Sequence, residues 1–473
     1  MTEHTSTGRA TSSTGWKIAV AAATLGVVYG YDIGNISGAL LFITEEMELS
    51  PLLQGSVTTV LVAGNIVGAL IAGKLATVIG RQKSLVLVVL GYAVFSVWSS
   101  LTTDVLWLDI SRFFLGVSIG LSLVVSPIFL AESAPTAIRG ALVVGYQVAT
   151  VSGILLAYLV DWALADSGNW RLMLGLSAVP SVLILFLVVR LPDTPRWYLM
   201  RGRREEARAT LRLVDPAADA DRKLAEISAD MAAERGGNLA EMFRKPYSIA
   251  TMFVLAMGFL VQITGINAIT YYSPIIFQEM GFEGYAAILG LPAVVQAAAL
   301  VATVGSLVAV DRLGRRPLLL GGITTMMLAS AMMIAVFATG SLGGGSFWGF
   351  VAILLFTAGF NFGFGSMVWV FASESFPARL RSFGASLLLA SNLVANLIVA
   401  QLFLPLMEGI GGAATFAIFL ALAAFSWLFV LRFAPETKGR SLESISTYWE
   451  NGARWPSRST ADSGRDGSRR ETS

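Results

Sequence analysis

The sequence reads as an all-α membrane protein: twelve transmembrane helices in two six-helix repeats, joined by a charged helical linker. Three observations predict this. Only 14% of the 473 residues are Asp, Glu, Lys or Arg, 55% are apolar, and the mean hydropathy is +0.69. Soluble domains carry about 25% charge, so this composition leaves too little polar surface for a water-soluble fold. Second, the charges between Ser248 and Arg432 are confined to Glu279, Glu283, Asp311, Arg312, Arg315, Arg316, Glu374, Arg379, Arg381 and Glu408. They leave apolar runs of about 20 residues or more, the length a helix needs to cross about 30 Å of hydrocarbon. Third, the chain repeats itself. The string 132-ESAPTAIRG returns as 374-ESFPARLRS, 80-GRQKSLVL as 314-GRRPLLLG and 192-PDTPRW as 435-PETKGR, at offsets of 242, 234 and 243. Two six-helix halves around a midplane site are a transporter architecture.

The spans are placed at 17–43, 55–78, 84–102, 107–131, 141–161, 170–190, 249–278, 285–310, 317–340, 346–374, 383–407 and 411–433. Residues 1–16 form a polar leader. No cleavage-site pattern follows a short apolar core, which argues against a signal peptide. Segment 17–190 is the first six-helix bundle and 249–433 the second. Between them, 191–248 is a helical linker in which 203–215 and 221–234 read as surface helices with opposite charges at i,i+4. The tail 434–473 is polar and reads as disordered after about 455.

Charges in the connections alternate along the chain. One set holds Lys74, Arg81, Lys83, Arg139, Arg312, Arg315, Arg316, Arg379 and Arg381; the other holds Glu45, Glu46, Glu48, Asp104, Asp161, Asp166, Glu279, Glu283 and Glu408, with Arg171 its lone cation. The positive-inside rule then puts both termini and the linker in the cytoplasm, and the absence of cysteine and of a sorting segment fits a multi-pass protein of the cell (inner) membrane. The formal charge of +2 carries no nucleic-acid footprint. No cysteine is present and His4 is the only histidine, so thiol chemistry, Cys-based metal sites and histidine catalysis fall away. The expectation is a non-enzyme with no cofactor and no metal, working as a monomer in the lipid bilayer.

Two ionisable side chains stand well inside the first six spans, Asp32 and Arg112. Each costs several kcal/mol at the bilayer centre unless paired or watered. Paired with Arg112, the Asp32 carboxylate is held as the anion; separated from it in a desolvated cavity, it takes a proton. A structural pair holding two helices together is the plainer alternative.

From Trp16 to Tyr448 the chain resembles the sugar porter family of the major facilitator superfamily. The resemblance rests on 30-GYDIG with 35-NISGAL, 112-RFFLGVSIGL, 132-ESAPTAIRG, 192-PDTPRWYL, 262-QITGINAITYYSP, 311-DRLGRR, 374-ESFP and 435-PETKGRSLE. It implies the major facilitator fold and transport of a monosaccharide or polyol by alternating access. In proton-coupled members the residues matching Asp32 and Arg112 form the proton switch. The resemblance also assigns sugar contacts to Gln147, Gln262, Asn267, Asn361 and Asn392, ring stacking to Trp369, and an aromatic cover to Tyr271 and Tyr272. Sugars present hydroxyls and weakly apolar faces, which suit amides and aromatic platforms. Arg81, Glu132, Arg139, Asp311, Arg315, Glu374 and Arg381 become a cytoplasmic salt-bridge gate of individually modest, partly exposed pairs, or else topological charges only. Gly363 and Gly365 would let span ten bend.

Several positions depart from the family pattern: Val261 and Gln262 stand for the usual Gln pair of span seven, Ile154 for a second Gln of span five, Leu393 for a Trp, Ala299 for an Asn, and Thr77 for the Asp of the first cytoplasmic signature. A less polar pocket than in glucose or xylose carriers is expected. The leading expectation is a proton-coupled symporter for a hexose, pentose or polyol. A proton-independent facilitator and a nontransporting sugar sensor are its rivals.

Overall fold

The structure, a computed structural model, describes residues 13–133, 139–216, 219–234, 237–339 and 345–455. Helix is the only regular structure among them. Spans one to five are the helices Ser13–Met47, Pro51–Ile79, Arg81–Ser100, Val105–Ser133 and Arg139–Ala163. Span six comes in two pieces, Trp170–Gly175 and Ala178–Val188, and span seven likewise as Ser248–Ile263 and Ile266–Glu279. Spans eight and nine are Tyr285–Leu313 and Arg315–Thr339. Span ten runs Gly345–Gly359, a π-helical turn Phe360–Phe364, then Gly365–Glu374. Spans eleven and twelve lie within Ala378–Phe433, divided at Gly411 (φ +80°). The twelve helical segments expected from the apolar runs are therefore present among the described residues.

Three spans are interrupted where hydropathy runs on unbroken: span six between Gly175 and Ala178, span seven, and span ten. Span seven stops at Thr264 and restarts at Ile266 because Gly265 takes φ +100°, which side chains with a Cβ rarely adopt. Span ten widens into the π-helical turn where Gly363 and Gly365 suggested a bend, and the Ser366 hydroxyl donates to Asn361 O at 2.6 Å across it.

Close helix packing explains the glycines of the first motif. Gly26, Gly30 and Gly34, four residues apart in span one, face span five, and a Cβ on Gly30 would sit 1.9 Å from Thr150 O. Spans two and four interlock the same way: a Cβ on Gly116 would lie 2.1 Å from Leu61 O. In lipid, helices associate through such small-residue contacts because no hydrophobic gain separates a helix face from the acyl chains.

Linker helices Pro195–Met200, Arg204–Val214 and Ala220–Glu234 form as expected. Ala207, Leu211, Ala220 and Leu224 close a small core beneath Tyr198 and Ile227. Arg222 and Lys223 pair with Glu226 at 3.2 and 3.0 Å, whereas Arg208 reaches across to Asp221 on the next helix. The tail holds a further helix, Leu442–Glu450, whose Trp449 is 1% exposed and packs 4.9 Å from the Phe253 ring. The expected disorder beyond 455 falls outside the described residues.

The contacts divide the chain into two compact units. One takes the described residues up to Met231 with Thr270–Gln278 and Phe282–Ala297; the other takes Ala232–Ile269, Glu279–Gly281 and the described residues from Ala298 onward. The second piece of span seven and the start of span eight thus group with the first unit. There the Tyr158 hydroxyl donates to Thr270 O at 2.7 Å, and Gln296 Nε2 donates to Val151 O at 3.3 Å.

Candidate functional site

Asp32 lies in the middle of span one and is 1% exposed. Neither carboxylate oxygen has a hydrogen-bond partner, and Ser177 beside it donates instead to Leu174 O at 3.0 Å. Arg112, also 1% exposed, sends its Nε to Val57 O at 2.7 Å. No ion pair within 4.0 Å joins the two, so the direct contact that their isolation in the sequence suggested is absent from this arrangement. Asp32 is an acid held apart from its candidate cation.

In the second unit the structure joins four of the predicted contacts and neighbours in pairs. Gln262 Nε2, at the end of the first piece of span seven, donates to Asn392 Oδ1 of span eleven at 3.3 Å. Asn361, inside the π-helical turn, accepts from the Thr303 hydroxyl at 3.3 Å and donates to Thr357 O at 2.9 Å. Asn267 is half-buried just after the break, and Trp369 leaves 44% of its surface exposed, a large value for an indole within a span. In the first unit Gln147 is exposed on span five. Tyr271 and Tyr272 are buried, their rings edge to face at 6.3 Å. Gln296, for which the sequence offers no role, is 5% exposed and spends its amide on the span-five backbone.

The charge sets repeat in three dimensions as they do in sequence. In the first half Arg81 opens span three and forks onto Glu132 at 2.9 and 3.0 Å, with side-chain exposures of 8% and 10%. This corrects the expectation of a partly exposed pair: it is buried and bidentate, and Thr194 adds a hydroxyl to Glu132 at 2.6 Å. Asp193 of the PDTPRW string accepts from Arg81 N at 3.0 Å and Thr194 N at 2.8 Å, capping span three. In the second half Arg315 opens span nine, pairs loosely with Glu374 at 3.8 Å, and is capped with Arg316 by Glu436 of PETKGR, both N–H bonds 3.1 Å. Gly80 and Gly314 precede the two caps at φ +104° and +93°; a Cβ on Gly80 would lie 2.0 Å from Asp193 Oδ2. All these pairs run within a half. Arg381 is half-buried and forms no ion pair within 4.0 Å, while the side chains of Arg139 and Asp311 lie outside the described residues. Burial pushes the Asp193 carboxyl above the ordinary carboxylate range, against the N–H bonds from Thr194, Arg81 and Gln82.

One acid was misplaced by sequence reasoning. Asp161, counted among the loop charges, is 1% exposed inside span five, and its Oδ2 accepts from Gly38 N at 3.1 Å. Its position near the end of an apolar run made it look like a connection. The signal that points inward is Gly38, whose missing Cβ leaves room for the carboxylate: that atom would sit 2.5 Å from Asp161 Oδ2.

Residues 18–449 match the family model described as "Sugar (and other) transporter". The chain is 34% identical over 444 residues to the galactose-proton symporter of Escherichia coli K12, covering 93% of this chain and 95% of the relative. It is also 34% identical over 433 residues to the arabinose-proton symporter of the same strain, covering 90% and 92%. Among solved structures it is similar to the E. coli proton:xylose symporter XylE, of the major facilitator superfamily, bound to 6-bromo-6-deoxy-D-glucose, with TM-score 0.76 and 27% identity over 93% of this chain and 99% of that one. A match that runs from span one to the helix after span twelve, on a twelve-helix duplicated fold, means that the chain belongs to the sugar porter family of the major facilitator superfamily.

Proposed function

We propose that the protein is a proton-coupled symporter that imports a hexose, a pentose or a related polyol by alternating access, as a single copy in the cell (inner) membrane with both termini in the cytoplasm. The observation that carries the reading is Asp32: an acid in a span, 1% exposed, with neither oxygen partnered and no cation in contact. Such a group costs several kcal/mol if its only role is structural. Binding and releasing a proton as its surroundings change accounts for its presence. The relatives that are symporters for galactose, arabinose and xylose with protons support both the coupling and the substrate class.

Gln147, Gln262, Asn267, Asn361 and Asn392 supply hydroxyl contacts in this reading, Trp369 offers its exposed indole face to the ring, and Tyr271 and Tyr272 cover the sugar. Gln262 and Asn392, already bonded to each other, exchange that bond for sugar hydroxyls. The cytoplasmic charges act on the gate: the pairs Arg81–Glu132 and Arg315–Glu374, with Arg139, Asp311 and Arg381, stabilise the outward-facing state and loosen on inward opening.

The test is Asp32→Asn in proteoliposomes carrying radiolabelled D-galactose, L-arabinose or D-xylose. The variant should exchange sugar across the membrane but fail to concentrate it under a proton gradient, and sugar addition should no longer alkalinise the outer medium. Uphill uptake at the wild-type level would leave a facilitator.

A further inference from the structure

Asp161 is a second buried acid that the switch at Asp32 does not use. Its Oδ2 takes the Gly38 N–H at 3.1 Å, its Oδ1 has no partner, and no ion pair forms on it. The titratable groups that face it are Tyr31 of span one and Tyr158, one turn back on its own helix; Tyr31 donates to Met173 O at 3.2 Å and Tyr158 to Thr270 O at 2.7 Å. From the second piece of span seven the neighbour is Ser273, 3.5 Å from the Ser37 hydroxyl. None of these is a cation.

Span one connects this acid to Asp32. Gly38, which holds Asp161, lies six residues beyond Asp32, about 9 Å along the helix axis. Midway, three residues from each, stands Asn35, 2% exposed, with its Oδ1 unpartnered. Residues at i and i+3 are neighbours on a helix surface. Asp161, Asn35 and Asp32 are therefore three buried polar groups with free acceptor atoms, linked in succession along span one. Asp161 is two residues from the end of span five at Ala163, on the side opposite the linker, next to Trp162 at 50% exposure. A single hydrogen bond from a backbone N–H does not explain an acid here, since an asparagine or serine would accept it equally well.

We propose that Asp161 is the entry station of the proton path to Asp32: its carboxylate takes a proton from hydronium at the surface opposite the linker, and water hydrogen-bonded to the Asn35 amide carries that proton on to the Asp32 carboxylate, which returns Asp161 to its anionic form each turnover. The path changes the rate of proton delivery and leaves the number of protons per sugar unaltered. This rests on the proton-coupled reading above, and the experiment separates the two.

Wild type, Asp32→Asn, Asp161→Asn and Asn35→Leu are reconstituted and assayed with whichever of D-galactose, L-arabinose and D-xylose the wild type carries. Two rates are measured: gradient-driven uptake across a series of external pH values, and counterflow, which needs no net proton movement. Asparagine at 161 keeps an acceptor for Gly38 N–H, so folding is preserved while proton exchange is lost. In Asp161→Asn the ratio of driven uptake to counterflow should fall about tenfold or more, most at high external pH where delivery limits, and approach wild type as the pH falls. Asn35→Leu should show the same pattern, and the final accumulation reached by either should equal that of wild type. A wild-type ratio and pH profile in Asp161→Asn, or an equal loss of counterflow and driven uptake, overturns the path and leaves Asp161 a structural acceptor. Normal driven uptake in Asp32→Asn overturns the coupling reading itself, whatever Asp161→Asn does.

Discussion

Asp32 and Arg112 were legible from sequence because a charge in an apolar run is conspicuous, but their separation was not, since it depends on where Arg112 finds an acceptor. It finds Val57 O on span two, at 2.7 Å. The bonded pair Gln262–Asn392 yields a sharper prediction for the sugar contacts than either residue alone. Gln262→Ala and Asn392→Ala should each weaken sugar binding by about 1 kcal/mol, the worth of one hydrogen bond. Because the two amides share a bond at 3.3 Å, the double variant should lose less than the sum. Binding measured with labelled sugar on purified protein checks this, and strict additivity would place the amides in separate roles. Asp193 carries a pH prediction. Its folded carboxyl binds protons more readily than the unfolded one, so its contribution to stability is present below the ordinary Asp range and is lost as pH rises through the raised folded value. Asparagine keeps an Oδ1 for both N–H bonds. Thermal unfolding of Asp193→Asn between acidic and neutral pH should accordingly fall less with rising pH than that of the wild type.

At the scale of elements, glycine spacing decides how closely helices approach. Gly30→Ala would place a methyl 1.9 Å from Thr150 O, which neither backbone can yield without shifting. Overpacking of this kind costs about 1–3 kcal/mol. Gly145, on span five with nothing within 4 Å of its virtual Cβ, is the matched control, where alanine should raise helix stability. Fluorescence-detected unfolding in detergent should therefore show the midpoint falling in Gly30→Ala and holding or rising in Gly145→Ala. Spans three and nine show why their loops carry fixed strings: each begins after a glycine of positive φ and is capped by an acid from the end of its own half, Asp193 or Glu436. An anion at a helix start gains from the free N–H groups and the helix dipole. The break at Gly265 and the π-helical turn at Phe360–Phe364 were invisible to hydropathy, which averages over a span and does not register where backbone hydrogen bonds are interrupted.

Over the whole molecule the duplication is structural as well as textual, yet its copies differ in strength. Arg81–Glu132 is bidentate and nearly dry, whereas Arg315–Glu374 spans 3.8 Å with exposures of 21% and 16%. Removing one partner of a buried pair costs about 3–5 kcal/mol, so Glu132→Gln should cost far more stability than Glu374→Gln. The weaker copy is the better switch. Glu374→Gln or Arg315→Ala should shift the population toward inward-facing states with little loss of folded protein, readable by accessibility labelling from each side. Unchanged labelling in both would leave these charges a topological role only.

The number of spans, the repeat and the family motifs can be read along the chain, because apolar length and recurring strings are one-dimensional properties that the bilayer and gene duplication impose directly. The acids and amides are marked as candidates there too, since polar groups are rare where lipid is the solvent. Which of them meet depends on how the helices pack in three dimensions. That packing separates Asp32 from Arg112, joins Gln262 to Asn392, draws Asp161 out of the loops onto Gly38, and buries the Arg81–Glu132 pair. Those outcomes turn on differences of a few ångströms between helices distant in sequence, set by which small residues let the backbones approach, and no local pattern in the chain records that distance.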